Sequence, residues 1–369
     1  MGAFIRDMDA REKFLKKYKI RSKFRKLRDD NRRLFKENSA NRKYLIAIKK
    51  DLDLLKKQNA RGNLSKAFNI KTSQELKERL AQQGTSITID ALTKEHEGRL
   101  CFDLGITKFE AFLIKSPNKS KRLYIFLTAA AGPNPYPMFQ RVTWEEYLDG
   151  MCLYIDDPTR HEKQYGPAFF YGDNEHNYLD LIGDIVNSFK SLYTLENSDL
   201  CFLGHSNSGT AALYLTRNFK GCSCLAFNPR IDVERQWRGN IKFNEMMKID
   251  WNSPKIKPRI KFYDIAEDNK SSICIYMNIR SPSDKDQTEA FFDYHKTSYK
   301  TGLQRLRSVW FVIAEIEADF EHAVMPDILF SKLLERFMLD GKGVTNDKVE
   351  LANLCLYYMR EVYKFSVIA

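Results

Sequence analysis

The chain has 369 residues, 43% of them hydrophobic and 29% charged, and its mean hydropathy is −0.49. No apolar run approaches the roughly 20 residues of a membrane-spanning helix, and an aromatic share of 13% argues against a mainly disordered chain. The net charge of +12 is uneven, because residues 1–66 hold 22 Lys and Arg against 8 Asp and Glu, which leaves a balance of −2 for the remainder.

The basic segment 1–62 carries a heptad pattern. Between Ile20 and Leu55, eight of eleven positions with three-four spacing are apolar, and the other three are asparagines. This pattern predicts a long helix in a coiled coil, in which asparagines at the seam fix the register and the number of strands. We expect the segment to join copies of the chain into a homo-oligomer; the alternative is a solvated helix that packs on its own domain.

The Lys and Arg residues of this segment indicate an anionic partner, and an anionic membrane surface or an anionic polymer fits the charge. Nucleic acid fits by charge alone, but no nucleic-acid-binding motif follows and aromatic residues are not interleaved at stacking intervals, so nucleic acid is disfavoured. Met1 is not followed by the apolar core of a secretory signal. We therefore expect a cytoplasmic protein, either free or peripheral at the inner face of the membrane.

The rest of the chain alternates between apolar, β-rich runs and runs of helical periodicity. Residues 63–121 are expected to form a linker and a β lead-in, 122–340 the main α/β core, and 341–369 a C-terminal helix. Continuous apolar strands separated by helices are typical of a parallel sheet covered on both faces. The sequence thus predicts an α/β fold with a mainly parallel sheet and helices on both faces. In chain order the predicted strands are 86–90, 100–104, 109–115, 122–129, 151–156, 200–204, 224–228, 273–279 and 309–316, and the predicted helices are 178–193, 210–218, 288–299, 325–338 and 349–365.

The strongest chemical signal lies where the predicted strand 200–204 meets the next helix. The run GHSNSG, from Gly204 to Gly209, resembles the G-x-S-x-G pattern, with Ser208 at the position of the second glycine and Gly209 directly after it. A tight turn from strand to helix raises the middle hydroxyl at the carboxyl edge of a sheet, and the amino end of the helix favours developing negative charge. Ser206 is therefore the predicted nucleophile; the alternative is an ordinary tight turn of small residues.

A serine nucleophile needs a base, and in proteins with this turn the chain order is Ser, acid, His. Only His295 and His322 follow Ser206. His295 lies in a helical run, whereas His322 follows the last predicted strand, where a strand-end loop can return an imidazole to the nucleophile. His322 is the predicted base.

The acid should follow the strand that precedes the one leading to the base. Asp284 and Asp286 both follow the predicted strand 273–279, and Asp284 is the first choice, with Asp286 as the alternative acid. Asp319 and Glu321 are too close in sequence to the base to be preferred.

An oxyanion hole needs two preorganised N–H donors. The amide of Asn207, next after the nucleophile, is one expected donor. The second should come from the loop after the predicted strand 122–129, where small residues let the backbone approach a substrate, so Ala130 or Ala131 is the candidate. An ordinary Gly-Pro turn is the alternative for that loop.

Residues 122–340 resemble an α/β-hydrolase. Beyond the Ser206 turn, the segment from Cys224 to Asp232 (CLAFNPRID) is similar to a segment of hydrolase-like proteins from bacterial polysaccharide loci, which include capsule O-acetyltransferases. Asp284 and His322 sit where those proteins carry their acid and base. The match departs from the family at Asn207-Ser208 and in the basic N-terminal helix.

This resemblance implies acyl transfer through an acyl-enzyme, with O-acetylation of a bacterial capsular polysaccharide or its precursor as the preferred activity. The expected partner is then a glycan acceptor, with acetyl-CoA as the candidate acyl donor and no bound cofactor or metal. An esterase acting on carbohydrate or lipid esters is the alternative, and a non-catalytic scaffold of a biosynthetic complex is the second. Seven aromatic residues are candidates for a sugar-stacking wall, although a core role is favoured: Tyr136, Phe139, Trp144, Tyr165, Phe169, Phe170 and Tyr171.

Overall fold

The computed structural model describes residues 74–115, 121–130, 137–142, 144, 148, 150–267, 270–317 and 321–323. The predicted coiled coil at 20–55 and the predicted helices at 325–338 and 349–365 lie outside the described residues and stay predictions. Within the described ranges, no helix combines the length and the apolar character needed to cross a bilayer.

Ten strands and eight α-helices make up the described part of the chain. The strands are β1 Thr85–Ile87, β2 Gly98–Asp103, β3 Lys108–Ile114, β4 Leu123–Leu127, β5 Met151–Ile155, β6 Leu200–His205, β7 Ser223–Phe227, β8 Ser272–Asn278, β9 Gly302–Leu306 and β10 Val309–Ala314. The helices are α1 Gln74–Ala81, α2 Pro158–Glu162, α3 Tyr178–Tyr193, α4 Asn207–Asn218, α5 Val233–Trp237, α6 Ile241–Met247, α7 Lys257–Ile260 and α8 Pro282–Tyr294. Short 3-10 turns occur at Ile89–Ala91, Asn197–Asp199, Tyr263–Ala266 and Glu321–Ala323.

All ten strands form one mixed sheet in the order β1-β2-β3-β5-β4-β6-β7-β8-β10-β9. Strand β3 runs antiparallel to both of its neighbours, and β9 runs antiparallel to β10, whereas every other adjacent pair is parallel. Every residue of β4, β5 and β7 is buried, so both faces of the central sheet are covered. The predicted α/β architecture with a mainly parallel sheet is confirmed.

Helix α3 packs on the central core, and its local sequence explains where it begins and ends. The Asn177 side chain caps its first turn by accepting from the Leu179 amide, and Thr194, with a φ of 53°, ends it in a left-handed conformation. Its inward face carries a stripe of apolar residues at helical spacing that enters the central core. The observed bounds match the predicted helix 178–193. The buried stripe consists of Leu179, Ile182, Ile185, Val186 and Phe189.

Three regions differ from the sequence-based expectation. Helix α8 begins at Pro282 and not near residue 288, because proline at the first helical position has the φ angle that a helix needs. The stretch between β7 and β8, which showed no regular pattern, folds into the short helices α5, α6 and α7. The edge strand β9 was also missed, since its run contains Gln304 and Arg305 and is only partly buried.

The aromatic residues proposed as a sugar-stacking wall are largely interior. Phe170 is fully buried in the central core, and Tyr171 is 3% exposed. Phe169 packs with Phe243 and Trp237 in a second apolar cluster, formed mainly by the segment between β7 and β8. Tyr136 lies outside the described residues. Phe169, Phe170 and Tyr171 therefore pack in the apolar core.

Candidate active site

The turn between β6 and α4 holds Ser206 in a strained backbone conformation. Its φ and ψ are 55° and −120°, outside the regions that a non-glycine residue ordinarily adopts. A hydrogen bond to the neighbouring strand stabilises this conformation, because the Ser206 amide donates to the carbonyl of Phe227 on β7 at 2.8 Å. A second hydrogen bond lies within the turn, where Ser208 Oγ accepts from the His205 amide at 2.9 Å. This is the geometry by which a strand-to-helix turn presents a nucleophile.

Glycine is required at position 204 because the turn passes directly over it. A Cβ placed there would lie 2.1 Å from the carbonyl oxygen of Ser208, which is backbone and cannot rotate away. Gly209 is tight but less so, with its nearest contacts at 3.2 Å from the Gly204 carbonyl and the Pro229 Cβ. Small residues at both ends therefore let the strand, the turn and the helix approach closely.

We expect Gly204→Ala to lower the free energy of unfolding by roughly 3 kcal/mol or more, because the added methyl group must push the backbone of the turn. Urea denaturation followed by circular dichroism measures this change. The matched control is Gly239→Ala, where a Cβ would meet nothing within 4 Å, and there we expect a change within about 0.5 kcal/mol. Equal stability of the two variants would contradict this account of the turn.

The structure brings Ser206, His322 and Asp284 into one hydrogen-bonded chain. His322 Nε2 lies 2.8 Å from Ser206 Oγ, and His322 Nδ1 lies 2.7 Å and 2.9 Å from the two carboxylate oxygens of Asp284. A carboxylate only accepts hydrogen bonds, so Nδ1 carries the proton and Nε2 is free to accept from the serine hydroxyl. Asp284 is completely buried, whereas the His322 side chain is 17% exposed. This arrangement can deprotonate a serine hydroxyl during attack on an acyl carbon.

The alternative acid, Asp286, lies elsewhere. It forms a two-point ion pair with Arg235 on the exposed side of α8, with both hydrogen bonds at 2.8 Å. Asp284 and Asp286 are two positions apart on one helix, so they point in different directions. His295, the histidine set aside from the sequence, ends α8 with its Nε2 2.9 Å from the Tyr263 carbonyl.

Side chains at the ends of neighbouring strands form hydrogen bonds with the backbone of His322. Its carbonyl oxygen accepts from Asn228 Nδ2 at 2.8 Å, just after β7, and from His205 Nε2 at 3.0 Å, at the end of β6. Asn278, the last residue of β8, donates to the carbonyls of Ile316 and Glu321 at 2.9 Å and 3.0 Å. Asn228 and Asn278 are both fully buried. His322 is thus positioned by long-range hydrogen bonds from three strands.

His205 has a structural part in this arrangement. Burial, reinforced by the positive charge of Arg141, holds the pKa of His205 well below its usual value. The neutral ring donates from Nε2, because a carbonyl oxygen faces that nitrogen. The sequence analysis did not foresee this contact, since it depends on which strands are neighbours.

Arg230 lies against both the acid and the base. It is 5% exposed, and its Nη1 donates to Asp284 Oδ1 at 2.7 Å. Its Nη2 lies 3.1 Å from Nε2 and 3.3 Å from Nδ1 of His322. The sequence analysis missed Arg230 although it falls in the segment 224–232 that carried the family resemblance.

The structure describes two of the three residues that are expected to form the oxyanion hole. Asn207 is the first residue of α4, where a backbone N–H has no acceptor within the helix, and it directly follows the nucleophile. Ala130 is exposed at the end of the loop segment that follows β4. Ala131 lies outside the described residues. The roles of these three amides stay predictions.

The loop that carries Ala130 is anchored by buried polar groups. The Ala129 amide donates to Gln140 Oε1 at 3.0 Å, and Thr128 Oγ1 donates to the Met138 carbonyl at 2.7 Å. The Met138 amide in turn donates to Asp156 at 2.7 Å. Asp156 is completely buried and also accepts from Arg160 at 3.0 Å. A loop held in this way can present a backbone amide at a fixed position.

Within the parts of the chain that the structure describes, no three His, Cys, Asp or Glu side chains gather as metal ligands. Cys222 and Cys224 are buried free thiols. Burial raises the pKa of Cys222 to about 12, so this sulfur stays protonated and is a poor ligand at neutral pH.

Neither a model of a known protein family nor a curated protein matches this sequence. Among solved structures, the chain is similar to a capsule O-acetyltransferase of Neisseria meningitidis serogroup A, at 14% identity and a TM-score of 0.47, over 68% of this chain and 99% of that one. It is also similar to Est1E from Butyrivibrio proteoclasticus, at 17% identity and a TM-score of 0.41, over 66% and 98% of the two chains. A Pyrococcus horikoshii acylaminoacyl peptidase aligns at 13% identity and a TM-score of 0.47, over 68% of this chain and 43% of the peptidase.

The fold can be stated from the molecule itself. The turn at Ser206 follows β6, which lies in the middle of a run of parallel strands, and Asp284 and His322 follow β8 and β10 farther along the same sheet. The three side chains meet at the carboxyl edge in the chain order Ser, Asp, His. By its strand order and its nucleophile turn, this chain has the α/β-hydrolase fold.

Proposed function

We propose that this protein is a serine-dependent acyltransferase. The observation that carries the proposal is the unbroken hydrogen-bonded chain from Ser206 Oγ through the His322 imidazole to the buried Asp284. A serine hydroxyl at hydrogen-bond distance from an imidazole, with a carboxylate on the other ring nitrogen, is the arrangement that activates serine for attack.

In the first half-reaction, Ser206 Oγ attacks the acyl carbonyl carbon while its proton passes to His322 Nε2. Asp284 stabilises the imidazolium, and the amide of Asn207, with that of Ala130 or Ala131, binds the oxyanion. The bond to the leaving group breaks, His322 returns the proton to that group, and an acyl ester on Ser206 remains. The leaving group departs as a neutral molecule, so charge and protons balance.

In the second half-reaction, an acceptor hydroxyl attacks the acyl-Ser206 ester. His322 removes its proton, the bond between Ser206 Oγ and the acyl carbon breaks, and His322 returns the proton to Ser206 Oγ. If the acceptor is a sugar hydroxyl, the product is an O-acylated glycan; if it is water, the product is a free acid. Transfer therefore requires that the acceptor be held close to His322 and that water be disfavoured.

We propose acetyl as the acyl group, acetyl-CoA as the donor and a hydroxyl of a capsular polysaccharide or its precursor as the acceptor. The support is the resemblance of the segment 224–232 to hydrolase-like proteins of polysaccharide loci. Two residues of this segment lie at the site: Asn228 contacts the backbone of His322, and Arg230 contacts Asp284. The resemblance thus concerns residues beside the reacting groups.

Ester hydrolysis is the second candidate. The His322 side chain is 17% exposed, so water reaches the base in the structure as it stands. An esterase needs no more than this, whereas a transferase needs the acceptor to displace that water.

The test is release of CoA from acetyl-CoA by the full-length protein, followed with a thiol reagent, with and without purified capsular polysaccharides. For a transferase we expect thiol release to rise at least about tenfold on addition of the correct glycan, because binding places the acceptor hydroxyl at the acyl-enzyme. Mass spectrometry of the glycan should then show added acetyl groups. The Ser206→Ala protein is the control and should do neither.

Two other outcomes decide between the alternatives. Acetate release that is independent of glycan but dependent on Ser206 identifies an esterase. If Ser206 is not labelled by a fluorophosphonate, which reacts with activated serines, the chain is a non-catalytic scaffold and the proposal is wrong.

A further inference from the structure

The guanidinium of Arg230 occupies an unusual position, because it contacts the acid and the base of the candidate site together. It donates to Asp284 Oδ1 at 2.7 Å and approaches both ring nitrogens of His322, at 3.1 Å and 3.3 Å. A cation at this place opposes the charge that His322 gains during attack by Ser206. The acyl-transfer mechanism gives no role to such a cation.

The two distances define where Nη2 lies. A point almost equally far from both ring nitrogens cannot lie in the plane of the imidazole, since the Cε1–H group fills that space on one side and the ring itself fills the other. Arg230 Nη2 therefore lies over the face of the His322 ring. Guanidinium groups stack favourably on neutral aromatic rings, and the Nε2 lone pair stays in the ring plane, directed at Ser206.

The backbone holds Arg230 in this place. Its amide donates to Thr210 Oγ1 at 2.8 Å, and its carbonyl oxygen lies 3.1 Å from the same hydroxyl. Thr210 belongs to α4, the helix that begins directly after the nucleophile. Ser283, in the first turn of α8, is 3.3 Å from Arg230 Nη1. The guanidinium is thus fixed relative to the helices that carry Asp284 and follow Ser206.

Charged and titratable groups face His322 from every element around it. Asp284 comes from α8, Arg230 from the segment after β7, and His205 from the end of β6, where burial keeps it neutral. On its own segment, Glu321 is paired with Arg280 at 3.5 Å. Arg230 is the only cation that the described residues place in contact with the His322 ring.

We propose that Arg230 is a positioning residue that holds Asp284 against His322 and places a positive charge beside the imidazole ring. The inference depends on the proposed serine mechanism. The positive charge of Arg230 opposes the charge that the imidazole gains when it takes the proton of Ser206, whereas the carboxylate of Asp284 favours that charge.

The test is the pH dependence of the labelling of Ser206 by a fluorophosphonate, which requires no knowledge of the substrate. In this reaction the Oγ–P bond forms, fluoride leaves, and the serine proton passes to His322. For Arg230→Gln we expect the acidic limb of the rate profile to move to higher pH by about one unit or more, because a neighbouring like charge has been removed. Circular dichroism melts of each variant report whether the protein is folded.

Two further variants complete the design. Arg235→Gln removes an exposed arginine that pairs with Asp286, and its pH profile should match that of the unmodified protein. Arg230→Lys keeps the charge but loses the planar fork, so we expect slower labelling with the acidic limb unmoved. If Arg230→Gln does not fold, Arg230→Lys decides: slower labelling with an unmoved limb supports the inference, and labelling at the unmodified rate or an upward shift of the limb contradicts it.

The outcomes separate this inference from the proposed function. If Ser206 of the unmodified protein is not labelled at any pH, the serine mechanism itself is wrong. If Ser206 is labelled but the acidic limb of folded Arg230→Gln is unchanged or moves to lower pH, the mechanism stands and Arg230 has only a structural role.

Discussion

Ser206→Ala and His322→Ala should each reduce acyl turnover to near background, a loss of about 10⁴-fold to 10⁶-fold. The reason is the 2.8 Å contact between Ser206 Oγ and His322 Nε2, which makes the two side chains one functional unit. The double variant should be no slower than either single variant, because removal of one partner already removes the function of the other. The measurement is kcat for an activated acetyl ester and for acetyl-CoA.

His295→Ala is the matched control, since His295 is the other histidine that follows Ser206 in the chain. Its ring contacts the Tyr263 carbonyl and has no contact with the candidate site, so kcat should stay within about twofold of the unmodified value. Full activity in Ser206→Ala would contradict the mechanism, and equal losses in His295→Ala and His322→Ala would contradict the choice of base.

Asp284→Asn should lower kcat by about 10³-fold to 10⁴-fold, because Asp284 holds the His322 tautomer and stabilises the imidazolium. Arg230 is buried against this carboxylate, and removing one partner of a buried ion pair destabilises a protein by about 3–5 kcal/mol. Asparagine is preferred over alanine because it keeps a side-chain oxygen beside Arg230. Melting temperatures should therefore be recorded beside the rates. A large fall in kcat with a folded protein is the expected result.

Asp286→Asn provides the comparison on the same helix. Asp286 pairs with Arg235 at the surface, where both side chains are about half exposed, so its loss should cost at most about 1 kcal/mol and leave kcat nearly unchanged. The reverse ranking of the two variants would assign the acid to Asp286 and leave the rest of the mechanism in place.

The sequence was sufficient for features that depend on local pattern. The turn that holds Ser206 could be located because an apolar strand, a glycine-bounded turn and a helix follow one another without interruption. The fold class followed from the alternation of strands and helices. Helix α3 was predicted with its observed bounds because its apolar stripe is regular.

Features that depend on strand order could not be predicted. Asn228 and Asn278 lie 50 positions apart in the chain. The backbone N–H of Asn278 donates to Asn228 Oδ1 at 2.9 Å only because β7 and β8 are neighbours in the sheet. Arg230 reaches Asp284 across a similar distance in sequence. Nothing in the local pattern around these residues shows such a partner.

Helix α8 shows a third reason for failure. Its first turn, from Pro282 to Lys285, is polar except for the proline, so apolar periodicity begins only later in the helix. The helix start is encoded instead by Ser281 and Pro282, which are typical before and at the first helical position. As a result Asp284 belongs to a helix and not to the loop expected from the sequence, and the rigid backbone there fixes its carboxylate.

The two hydrogen bonds accepted by the carbonyl of His322 have a consequence for how such a protein can diversify. His322 is held by Asn228 and His205, two side chains at the ends of core strands. Surrounding loops can thus change in length and composition while the imidazole keeps its register with Ser206. Under the proposed mechanism, acceptor specificity and the geometry of the Ser206–His322 pair are separable traits, and loop exchange should redirect acyl transfer toward other hydroxyl compounds.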